Sequence, residues 1–125
     1  MKRTLRLLFC LSACAALAAQ APPDALSGSD LARALLDRAR ESAGKGLQKR
    51  ALELADEAVQ MAPDDLPPRV FRAALHLQNA RLPEAVVDLT KLIGLQPDRP
   101  DWWQTRGETR FKMGDAPGAV ADFDE

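Results

Sequence analysis

The chain is poor in the residues most chemistry needs. Among its 125 residues there is one histidine, His76, and two cysteines, Cys10 and Cys14. A metal site or an acid–base relay draws on several such side chains brought together, so His76 reads as a packing or surface residue. The serines Ser27, Ser29 and Ser42 lack a G-x-S-x-G setting. Gly44-Lys45-Gly46 lacks the spacing of a phosphate loop. No catalytic residue, cofactor or metal ligand is expected, and the chain does not read as an enzyme. Tyrosine is absent and aromatics total 5%. The core must be aliphatic, and the abundance of alanine and leucine favours closely packed helices over a sheet. An excess of one charge is also missing: 17 Lys and Arg face 18 Asp and Glu. That balance argues against a basic face for nucleic acid. Nor is there a hydrophobic run of the roughly 20 residues that a membrane-spanning helix needs.

The longest apolar run is the stretch from Leu7 to Ala19, behind Lys2, Arg3 and Arg6. A basic start, a short apolar run and the small-residue exit Ala16-Leu17-Ala18 form a secretory signal pattern, with cleavage expected after Ala18 or Ala19. Residues 1–19 contain three basic residues and no acidic one, so the processed chain carries 14 basic against 18 acidic residues and a net charge of −4. It also loses both cysteines. Leu11-Ser12-Ala13-Cys14 fits a second reading, a lipobox whose Cys14 becomes the lipidated N-terminus; an uncleaved anchor is the third. The expected location is extracytoplasmic, periplasmic or secreted, with membrane attachment only through this segment. Residues 20–30, with Pro22-Pro23 and Gly28, read as a flexible linker, and Ser29-Asp30 as a helix start before Leu31.

From Leu31 onward the sequence repeats itself. Ala51, Ala85 and Ala119 are evenly spaced, and Arg38, Arg72 and Arg106 share the same step, as do Gly46, Ala80 and Gly114. Leu52, Val86 and Val120 keep it, and Pro63 and Pro97 share it, each followed by Asp. Each period, roughly 34 residues long, holds two helical patterns. In the second unit Pro67-Pro68 opens a helix, with Val70, Ala73, Ala74 and Leu77 at helical spacing. Asn79-Ala80-Arg81 turns the chain, Pro83 opens the next helix and Pro97-Asp98 closes it. In the third unit Pro100 opens, Gly114-Asp115 turns and Pro117 restarts. The first unit turns at Gly44-Lys45-Gly46 and ends at Pro63. The units are residues 31–65, 66–99 and 100–125.

A helix–turn–helix of this length, with small residues at the crossing positions, resembles the tetratricopeptide repeat. The third unit carries the pattern in Trp103, Gly107, Gly114, Ala119 and Phe123. The second carries it in Ala73, Ala80, Ala85, Leu89 and Pro97, with Arg69 where a bulky apolar residue is usual. The first has Leu35, Ala39, Gly46, Ala51, Ala58 and Pro63, with Ala55 at the aromatic position, and is the weakest. The resemblance implies an all-α, right-handed superhelical stack of helix pairs, preceded by the signal segment. The third unit stops inside its second helix with no closing proline or polar cap. This reads as a truncated product, or as an end covered by another chain or another copy.

The resemblance also implies that the first helix of each unit lines a concave groove. By position the groove holds Arg33, Leu36 and Arg40, then Val70, Ala74 and Gln78, then Gln104, Glu108 and Lys112. A peptide segment of a partner protein could lie there. Leu36, Arg40 and Phe71 stand where chaperone-binding members carry a Lys/Asn clamp for a C-terminal carboxylate, so that role is not implied. Trp103 takes the bulky packing position, which leaves Trp102 as a candidate exposed anchor. Arg72 precedes Asp88 by the same interval as Arg106 precedes Asp122, a spacing suited to an ion pair within each helix pair, with anion binding as the alternative; Leu54 replaces the acid after Arg38. The function expected is an exported interaction scaffold or adaptor. The alternative is an envelope assembly subunit that self-associates through its C-terminal end, or the front of a larger protein.

Overall fold

The computed structural model describes residues 27–124, which form six α-helices and, among the described residues, no strand. The signal segment and most of the expected linker lie outside the described residues. The first helix, α1 (Gly28–Gly44), begins ahead of Leu31, inside the stretch read as linker. Its cap is Ser27, not Ser29: the Ser27 hydroxyl accepts the Asp30 N–H at 3.2 Å, and the Asp30 carboxylate accepts from the Ser27 N–H. That reciprocal capping box satisfies amide groups which otherwise have no partner in the first turn.

The remaining helices are α2 (Gln48–Met61), α3 (Leu66–Gln78), α4 (Leu82–Leu95), α5 (Pro100–Lys112) and α6 (Ala116–Phe123). Proline stands in the first turn of α3, α4, α5 and α6, where its missing N–H costs nothing. The three turns inside the helix pairs are built alike. Gly46, Ala80 and Gly114 take φ of 78°, 57° and 85°. The next residue then donates its N–H to the carbonyl five back: Leu47 to Ser42 at 2.9 Å, Arg81 to His76 at 2.8 Å and Asp115 to Arg110 at 2.8 Å. This is a left-handed helix stop, which glycine adopts at no steric cost and alanine does not.

Helices pair as α1/α2, α3/α4 and α5/α6, and each pair packs on the next. Among the described residues helices pack only on their sequence neighbours, apart from the packing of α3 on α1, as in a stacked repeat. Alanine sits where helices cross: Ala32, Ala39, Ala51, Ala55, Ala58 and Ala85 are fully buried. Leu54, Leu75 and Leu92 fill the spaces beside them. Beside the alanine at the aromatic position of the first unit, Phe71 from the next pair packs against the cluster of Ala51, Leu52, Ala55 and Leu75. In the third unit the expected pairing holds: a Cβ on Gly107 would lie 2.7 Å from the Phe123 ring.

Candidate functional site: the inner helix face and its ionic supports

The helices expected to line the groove, the first of each pair, are α1, α3 and α5. Of the nine residues assigned to the groove, eight are exposed: Arg33, Arg40, Val70, Ala74, Gln78, Gln104, Glu108 and Lys112. Leu36 is not. It is only 3% exposed, and with Pro67 and Pro68 it lines a cavity of about 80 Å³ where the start of α3 meets α1. The contact between α1 and α3 closes the groove at that point and turns Leu36 into a packing residue. The exposed face is mixed in charge. Arg40 lies 3.7 Å from Asp37, and its guanidinium stands 6.0 Å from the Phe71 ring centre. Gln104 donates to Glu108 at 3.2 Å. An open, mixed surface of this kind suits an extended segment better than a small molecule, which favours an enclosed and largely apolar pocket. A larger depression of about 480 Å³ lies elsewhere, between α2 and the Asn79–Arg81 turn, and its rim of Lys49, Glu53, Asp56 and Arg81 is charged.

Trp102 is not an exposed anchor. It is 7% exposed and packs with Leu89, Leu92 and Ile93 of α4, while the Arg99 guanidinium covers its ring at 4.8 Å. The repeat register correctly puts Trp103 in a packing position, but α5 also turns its preceding residue onto the neighbouring helix pair. Trp103 is half-buried at the edge of that cluster; its indole donates to the Pro97 carbonyl at 3.0 Å, and Arg106 lies over its ring at 4.9 Å.

The spacing of arginine and aspartate becomes a pair of buried ionic clusters. Asp88 is 1% exposed. It accepts Arg72 Nε at 2.9 Å and Arg72 Nη2 on its two oxygens, and Arg69 Nη1 at 3.3 Å. Arg69, the charged residue at a bulky apolar position, is tolerated because it also donates to the Pro63 carbonyl at 3.0 Å. Hydrogen bonding to Asp88 holds the Arg72 guanidinium above its ordinary pKa, against the opposing effect of burial. Asp122 repeats the arrangement, accepting Arg106 Nε at 3.0 Å and Nη2 at 2.7 Å, with Arg110 Nη1 at 3.0 Å from the same carboxylate. The first unit has no counterpart, since Leu54 is buried and Arg38 is exposed. The structural reading of the repeated arginines therefore holds for Arg72 and Arg106.

Each arginine also reaches backwards, which spacing within one unit does not suggest. Arg72 Nη1 donates to Asp56 of α2 at 3.1 Å, and Arg106 Nη1 to Thr90 of α4 at 3.2 Å. Asp56 and Thr90 hold the same place in successive units, so this contact between units follows the repeat period as well. His76 is buried, with Nε2 3.8 Å from Asp88 Oδ2. Among the described residues no group of three or more His, Cys, Asp or Glu is placed to hold a metal, and no helix is long and apolar enough to cross a membrane.

No family model and no curated protein matches the sequence. The solved structures do match. The second TPR of Spaghetti (RPAP3), bound to the HSP90 peptide SRMEEVD, superposes with a TM-score of 0.68 at 24% identity, over 77% of this chain and 89% of that one. The TPR domain of Arabidopsis OM64 gives 0.68 at 18% identity, over 78% and 81%. The chain has the tetratricopeptide-repeat fold. MamA, at a TM-score of 0.66 and 17% identity, shares it over 74% of this chain and 54% of that one. At these identities the likeness speaks to the tetratricopeptide architecture alone; the arginine–aspartate clusters are read from this chain's own residues.

Proposed function

We propose that the protein is an exported adaptor that holds a peptide segment of a partner protein against the exposed face of α1, α3 and α5. The observation that carries this reading is the row of eight exposed side chains on three stacked inner helices, braced from behind by Asp88 and Asp122. A structural neighbour that carries a bound peptide supports it. Peptides selected by display against the full chain should lose binding at least about tenfold when Ala74→Arg or Gln78→Glu alters the middle of the groove, a loss of about 1.4 kcal/mol or more. Selected peptides that ignore every groove substitution would sink the idea.

Export rests on the basic, apolar and small-residue order of residues 1–19. Mass spectrometry of protein from a bacterial host should find an N-terminus at residue 19 or 20, or a lipidated Cys14 in the alternative. An intact Met1 in the cytoplasm is the contrary result. A second reading comes from α6, which exposes Val120 and Phe123 at 58% and 51%. Self-association through that end would cover them, and sedimentation equilibrium of the full chain reads it directly: a monomer at all concentrations excludes it.

A further inference from the structure

The two joints between helix pairs are built differently. At the first, α3 packs against both α2 and α1. Arg72 crosses this joint to Asp56, charge to charge. At the second, α5 packs against α4 alone, with no packing of α5 on α3 to match that of α3 on α1. Arg106 crosses there to Thr90, a neutral hydroxyl whose own proton is given to the Val86 carbonyl at 2.7 Å. Both bonds have an ionised donor, but only the first joins opposite charges and adds their Coulomb attraction. The rest of the second joint is mainly apolar: Trp102, near the start of α5, is set among Leu89, Leu92 and Ile93, and at the same end the Trp103 indole donates to the Pro97 carbonyl at 3.0 Å. Apolar contact is non-directional, and a ring seated at one end of a helix fixes its position better than its tilt. Among the described helices, the far end of α5, with Glu108 and Lys112, does not pack on α3.

We propose that the second joint is the hinge of the array: α1 to α4 move as one body, and the α5/α6 pair swings about Trp102. The gap between Gln78 and Lys112 is then the adjustable part of the inner face, whether or not a peptide lies there. Hinges of this kind concentrate change at a few residues between rigid packed units.

Gly44, Gln78 and Lys112 hold the same place in successive units, and all are exposed. A side chain at Gly44 meets nothing within 4 Å. Spin labels on the full chain carrying Cys10→Ser and Cys14→Ser, placed at Gly44→Cys with Gln78→Cys and at Gln78→Cys with Lys112→Cys, report the two joints separately by pulsed electron resonance. The second pair should give the broader distance distribution. Thr90→Asp, which copies Asp56 into the second joint, should narrow it towards that of the first pair. Asp56→Thr should broaden the first pair and leave the second unchanged. Equal widths in the native sequence overturn the proposal, as does a second-pair width unmoved by Thr90→Asp in a chain whose circular dichroism is native.

Discussion

Replacing Asp88 by alanine removes the carboxylate on which the second helix pair converges. The side chain is buried, and two arginines donate to it, Arg72 through two nitrogens and Arg69 through one. Deleting one member of a buried ion pair typically costs about 3–5 kcal/mol, because the remaining charge stays buried without its counterpart. Here Arg72 keeps Asp56 and Arg69 keeps the Pro63 carbonyl, which puts the expected cost near the lower end, about 3 kcal/mol. That is a large share of the ~5–15 kcal/mol by which domains are stable. For a domain of this size it corresponds to a fall in Tm on the order of 15 °C. Urea unfolding followed by far-UV circular dichroism measures it, and a cycle with Arg72→Ala separates the pair from its surroundings. The coupling should exceed about 1 kcal/mol, since residues in one network depart from additivity by roughly 0.5–3 kcal/mol. Asp56→Ala, which removes a more exposed partner, should cost no more than about 1 kcal/mol. An Asp88→Ala cost below about 1 kcal/mol, or coupling within about 0.5 kcal/mol of zero, would refute the claim that this cluster braces the array.

Ala80 occupies the left-handed position that glycine takes in the other two turns, so Ala80→Gly should stabilise by about 0.5–1 kcal/mol in the same urea assay. Trp102→Ala should cost about 3–5 kcal/mol as a buried ring is lost, and Trp103→Ala clearly less; the reverse order would contradict the packing described. Hydrogen bonding to Lys45 holds the Glu41 carboxyl below its ordinary value of 4.5. The pair's contribution is thus fully present above that value and is lost as pH falls through the folded-state pKa. An NMR titration of Glu41 should show the lowered midpoint, and Lys45→Ala should restore the ordinary one.

The constant repeat step, the proline-opened helices and the alanine and glycine crossings determine the helix pairs from the sequence alone. Each of these signals acts within one turn or one pair: a proline ring fixes φ, a small side chain permits close approach, and an arginine on one helix meets the aspartate that follows it across the hairpin. Even the turn at Ala80 is legible from its alignment with Gly46 and Gly114. Contacts between pairs were not legible in the same way. Leu36 is buried because α3 arrives over it, Trp102 because α4 lies beside it, and Thr90 becomes a partner of Arg106 because successive pairs stack at one particular angle. The start of α1 also lies ahead of Leu31, where Ser27 and Asp30 cap the first turn reciprocally. The sequence by itself thus determined what each helix is and how it pairs with its neighbour in the chain. Only the tertiary structure decided which side chains remain on the open face, because that depends on how one helix pair seats on the next, through contacts such as Leu36 beneath α3 and Trp102 on α4 that no signal within a single pair encodes.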